Sequence, residues 1–150
     1  MTEIELIKLA LEAREMAYTP YSRHKVGAAL LTTDGKVFKG CNIENAGYTP
    51  TNCAERTAIF KAVSEGYKTF ESIAVVGGMD KLKALPFCAP CGVCRQVLRE
   101  FVAPDTFKVY LAEVDDVTDL NNLTEDKVRI KTMTLSELLP LGFGPENLEI

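Results

Sequence analysis

A chain of 150 residues is long enough to bury one compact core and too short for two, so a single domain over 1–150 is expected. Hydrophobic residues make up 47% and charged residues 25%, the balance of an ordinary globular protein. The net charge of −4 is spread along the chain, with no basic stripe to grip phosphates, which argues against a nucleic-acid polymer as partner. The longest apolar runs, such as VGAALL, fall far short of a membrane span, and the acidic, amphipathic N-terminus lacks a signal-peptide pattern, so a cytoplasmic protein is expected.

Thr2 and Glu5 have capping-box spacing, and Leu6, Leu9, Ala10, Ala13 and Met16 or Ala17 share one face of a first helix that ends before Pro20. KVGAALLTT is a continuous apolar run, and Asp34-Gly35 is a hairpin signal leading into KVFKGCNI, so two antiparallel strands follow. Residues 44–52, rich in Gly, Pro and Asn, read as a loop. A second helix begins near Cys53, with Ala54, Ala58, Ile59, Ala62 and Val63 as its apolar stripe and Gly66 as terminator. SIAVVGG is a buried third strand. Pro90 suits the first turn of a third helix, with Cys94, Val97, Leu98, Phe101 and Val102 on one face. FKVYLAE and KVRIKTM read as fourth and fifth strands, and Thr134 with Glu137 starts a short final helix. The order α-β-β-α-β-α-β-β implies one α/β sandwich around a single sheet.

Five cysteines, at 41, 53, 88, 91 and 94, are an odd number and in a reducing compartment do not make a disulfide framework. Cys91 and Cys94 form a C-x-x-C at a helix start, which alone fits half a structural zinc site, a redox pair or two core thiols. The element order around it is not thioredoxin-like. Cys53 stands at another helix start, so three thiolates could occupy three corners of a zinc tetrahedron, with two helix dipoles favouring the anionic sulfurs. Cys41 or Cys88 as fourth ligand would close the site; the open site, with both as packed thiols, is favoured. His24 is the only histidine, so a His-rich ligand set is excluded.

Glu55 has two readings. With Asn52 as N-cap it sits at the third helical position, where a capping glutamate reaches back to the cap amide. Beside an open zinc site it could instead take a proton from the metal's water and pass it to substrate. Three thiolates on Zn²⁺ leave a net −1, and Arg56, or Arg95 beside Cys94, could hydrogen-bond the sulfurs and withdraw charge. The alternative is that both arginines are solvated surface residues; the sulfur-binding role is favoured for Arg56 and less so for Arg95.

NCAERTA together with PCGVCRQ strongly resembles the zinc-dependent cytidine deaminases, in particular the short, three-cysteine-ligand, homotetrameric kind, and the likeness extends from PYSRHKVGAAL through GCNIENAGYTPTNCAERTAIFKAV to LLPLGFGPENL. The resemblance implies a three-layer α-β-α sandwich around a five-stranded mixed sheet, one Zn²⁺ per chain on Cys53, Cys91 and Cys94, and Glu55 as proton shuttle. It implies hydrolytic deamination of cytidine and 2′-deoxycytidine to the uridines and ammonia by zinc-bound hydroxide, in pyrimidine salvage. Asn42 and Glu44 match the family's ribose-binding pair, Tyr48 falls in the same loop, and the Ala54 backbone should face the pyrimidine. His24 stands where many relatives carry a phenylalanine against the base. Phe143 matches an aromatic that reaches a neighbouring subunit's site; without that role, residues 144–150 would read as a frayed tail.

Overall fold

The computed structural model describes residues 1–148. Helix α1 (Glu3–Arg14) precedes strands β1 (His24–Thr32) and β2 (Val37–Cys41); helix α2 (Ala54–Ser64) leads to β3 (Phe70–Met79), helix α3 (Gly92–Phe101) to β4 (Lys108–Val114), and β5 (Val128–Thr134) to the single turn α4 (Leu135–Leu138). The strands form one sheet in the order β2-β1-β3-β4-β5. It is mixed: β3 and β4 run parallel across the α3 crossover, and the other neighbours are antiparallel.

Side-chain alternation explains why the strand sequences are apolar throughout. Ala28, Leu30, Ile73, Val75, Val109 and Leu111 point to the face covered by α2 and α3. Ala29, Leu31, Ala74, Val76, Ala112 and Val114 point to the face covered by α1. A sheet buried on both sides loses the polar alternation of a half-exposed one. The expected three-layer sandwich is therefore present.

Both capping boxes form, Thr2 with Glu5 and Thr134 with Glu137. The phase of α1 differs from the expected stripe: Leu6, Ile7, Ala10, Leu11, Ala13 and Arg14 are buried, and Met16, 77% exposed, lies beyond the helix. The reason is tertiary. Arg14 turns into the sheet and donates from Nε to Lys25 O (3.1 Å) and from Nη2 to Gly78 O (3.0 Å) and Met79 O (3.2 Å). It thereby ties the start of β1 to the end of β3, the edge from which His24 projects. Pro90 stands before the N-cap of α3, Cys91, rather than inside the first turn.

Two glycines let the helices approach. A Cβ at Gly40 would stand 2.5 Å from Ala58 N and closer still to Ala54 O, so α2 lies directly on the β2 backbone. Gly27 does the same for α1 at Ala10 and Arg14. The frayed-tail alternative does not hold through residue 148: Pro145–Leu148 form a 3-10 turn, Gly144 N donates to Asn147 Oδ1 (2.8 Å), and Arg99 pairs with Glu146. The last two positions of that alternative, 149–150, lie outside the described residues.

Candidate metal centre and cleft

Helices α2 and α3 begin side by side on one face of the sheet. Cys53 is the N-cap of α2 and Cys91 the N-cap of α3; neither side chain caps its own helix, and Cys94 sits one turn into α3. The three sulfurs lie within 4.8 Å of one another, with Cys53 Sγ to Cys91 Sγ 3.7 Å and Cys91 Sγ to Cys94 Sγ 3.6 Å. A tetrahedral zinc with Zn–S bonds of about 2.3 Å spaces its sulfurs by about 3.8 Å, so the two shorter edges already have the dimensions of a zinc thiolate site. Two helix N-termini supply positive potential to the cluster. The cluster fits one Zn²⁺ per chain.

Cys53 is poised as a thiolate, its pKa lowered to about 5 first by the hydrogen bond with Cys94 and then by the Arg56 guanidinium, which outweigh its burial. The facing Cys53 sulfur, with burial, raises the Cys94 thiol. Arg56 Nη2 donates to Cys53 Sγ at 3.1 Å, as anticipated. Arg95 does not join it: its Nε donates to Pro90 O (2.7 Å) and its Nη1 to Leu138 O (2.6 Å), clamping the start of α3 to the end of α4.

Glu55 is only 3% exposed, and burial raises its pKa. The capping reading fails, because the N-cap is Cys53 and Glu55 occupies the second helical position; the Asn52 amide donates instead to Thr57 Oγ1 at 3.2 Å. Freed from capping, the carboxyl borders a cleft of about 290 Å³ that Cys53, Ala54, Cys91, His24, Asn42 and Glu44 also line. Cys94 lies behind the other two thiols, fully buried.

The polar rim is built by a loop folded back on itself. Ile43 exchanges backbone hydrogen bonds with Asn52, and the flanking Asn42 O and Glu44 N bond to Tyr18, which brings residues 42–44 beside Cys53. The Asn42 amide serves the strand start, accepting from Val26 N (2.9 Å) and donating to His24 O (2.8 Å). Tyr48, with φ 62° and 75% exposed, stands against Tyr21 over an adjoining cavity rather than in the cleft itself. Phe143 is also outside the cleft, 56% exposed, its carbonyl accepting from Gln96 Nε2 at 2.9 Å. Of the two spare cysteines, Cys41 is half-buried at the end of β2. Cys88 is not merely a packed thiol: it lines the cleft, its pKa raised to about 11 by burial. Ser22, Val26 and Ala89 complete the lining and went unread in the sequence, where they carry no signal except proximity to His24 and Cys91.

Residues 1–110 match the family model described as the cytidine and deoxycytidylate deaminase zinc-binding region. The chain belongs to this family. Among family relatives, it is 52% identical to a cytidine deaminase of Halalkalibacterium halodurans, over 95% of each chain. It is 46% identical to a cytidine deaminase of Sporosarcina psychrophila, over 96% of this chain and 93% of that one. The crystal structure of a cytidine deaminase from Burkholderia pseudomallei superposes with a TM-score of 0.75 at 47% identity, covering 95% of this chain and all of the other. Among the described residues, no helix is long and apolar enough to cross a membrane.

Proposed function

We propose that the whole chain, 1–150, is one cytidine deaminase domain that converts cytidine and 2′-deoxycytidine to uridine and 2′-deoxyuridine, with release of ammonia. The observation that carries this reading is the meeting of a buried glutamate with a three-thiol cluster at one cleft. Cys53, Cys91 and Cys94 would hold the zinc, which would supply Lewis acidity to activate water toward C4 of the pyrimidine. Glu55 moves the protons. Its buried carboxyl, made a stronger base by burial, is suited to take a proton from water, place it on N3 and then carry the proton of the hydroxyl formed at C4 to the departing amine. Arg56 holds charge off the Cys53 sulfur.

The rest of the cleft suits a nucleoside. Asn42 and Glu44 offer an amide and a carboxylate to the sugar hydroxyls, the Ala54 backbone faces the base, and the His24 ring packs against it. Tyr48 covers the sugar end. Among the described residues, neither lysine nor arginine lines the cleft while Glu44 and Glu55 do, which favours an uncharged nucleoside over its phosphate. Phe143 and the neighbouring exposed Leu141 support assembly into a homotetramer in which Phe143 closes a neighbour's site. The enzyme acts in the cytoplasm, in pyrimidine salvage.

Conversion of cytidine, followed by the absorbance change of deamination, tests the reading. Chelation of the metal should abolish turnover and zinc should restore it. A preparation with one zinc per chain that leaves both nucleosides unchanged would overturn the assignment.

A further inference from the structure

We infer that Ser22 is the positioning residue that sets Glu44 for recognition of one sugar hydroxyl, and thus controls nucleoside affinity rather than the chemical step. The inference rests on the nucleoside reading above. Glu44 is held by one turn of chain: Oε1 accepts from Tyr21 N (3.1 Å) and Ser22 N (3.0 Å), and Oε2 accepts from the Ser22 hydroxyl. That hydroxyl in turn accepts from His24 N at 3.0 Å, which occupies a lone pair and directs its proton to Glu44. The turn is tight enough to put Arg23 at φ 63°.

A carboxylate has about four acceptor sites. Two donors fill Oε1 and one fills half of Oε2, so a single acceptor position remains, on the oxygen that Ser22 orients. Glu44 borders both the cleft and the adjoining cavity under Tyr48, where a sugar extending from the base would meet it. The same bonds, the Ser22 hydroxyl first, hold the Glu44 carboxyl below its ordinary value, so it accepts rather than donates. One free acceptor matches one hydroxyl proton. Without the Ser22 hydroxyl, Oε2 has two open sites and no fixed direction.

Cytidine and 2′-deoxycytidine share one secondary sugar hydroxyl, the 3′, which is therefore the one Glu44 would accept from; the test compares cytidine with 3′-deoxycytidine, which lacks it, in wild type, Ser22→Ala and Ser22→Thr. Loss of a charge-assisted hydrogen bond should raise the Ser22→Ala KM for cytidine about ten-fold, with kcat held within about two-fold. The KM for 3′-deoxycytidine should not respond to the substitution, and Ser22→Thr should restore the wild-type value for cytidine. Equal losses on both substrates, or a loss in kcat, would mean that Ser22 only supports the turn, and would overturn the inference. A wild type that does not distinguish the two nucleosides overturns it as well. A wild type inactive on cytidine is a different failure and removes the nucleoside reading itself.

Discussion

Replacing Arg56 with alanine should loosen the metal more than the fold. The guanidinium Nη2 is 3.1 Å from Cys53 Sγ, and the hydrogen bond is one of the causes that bring that thiol down to about 5. A hydrogen bond to a charged group contributes about 1.5–3 kcal/mol, which converts to about 10–100-fold in the zinc dissociation constant. The sign with pH follows from proton competition. Metal binding requires thiolates, and without Arg56 the Cys53 thiol shifts back toward its ordinary value of 9.0. At about pH 6 the wild-type sulfur is ionised and a larger share of the variant's is protonated, the Cys94 hydrogen bond still lowering both; near about pH 9 the two converge. The deficit should therefore be largest in mild acid and shrink with rising pH. Competition against a chromogenic chelator across this range measures it, with circular dichroism to confirm the fold. Arg95→Ala is the control, because Arg95 binds carbonyl groups and no sulfur. An Arg56→Ala protein with unchanged zinc affinity and turnover, or with a deficit independent of pH, would refute the reasoning.

Two further outcomes follow from the packing and the buried charge. In metal-free protein Glu55→Gln should be more stable than wild type at neutral pH, with the difference vanishing toward pH 4.5. Burial raises the folded carboxyl above that value, so wild-type stability falls as pH rises through the interval while the amide is indifferent; thermal unfolding at several pH values checks it, and a glutamine variant less stable at neutral pH would contradict it. Gly40→Ala should cost about 1–3 kcal/mol in urea unfolding, because the added methyl group meets the α2 backbone at Ala54 and Ala58. It should also weaken zinc retention by displacing Cys53; a change below about 0.5 kcal/mol would mean that α2 has room to move.

What could be read in the sequence was what local chemistry decides. Thr2 with Glu5 and Thr134 with Glu137 satisfy helix ends within four residues, and both boxes form. The cysteine spacings placed three thiols at helix starts, and the structure brings the three together. Long-range demands were not legible. The burial of Arg14 depends on carbonyls at Lys25, Gly78 and Met79, which nothing near Arg14 announces. The expected Asn52 cap lost to Cys53 because the bridge to Ile43 holds Asn52 in extended pairing. Arg95 stands next to Cys94 in sequence and so within reach of sulfur on paper, yet its guanidinium donates to Leu138 O at the end of α4 instead. Ser22 carries no local signal either, because its partner Glu44 lies 22 positions away in the chain.

The central claim is that Glu55, beside a zinc site made by Cys53, Cys91 and Cys94, carries the protons of deamination. The most direct measurement is cytidine turnover by Glu55→Gln, with zinc quantified in the same sample. The expected result is one zinc per chain, as in wild type, with turnover reduced to near background. Full zinc content with wild-type turnover would contradict the role of Glu55.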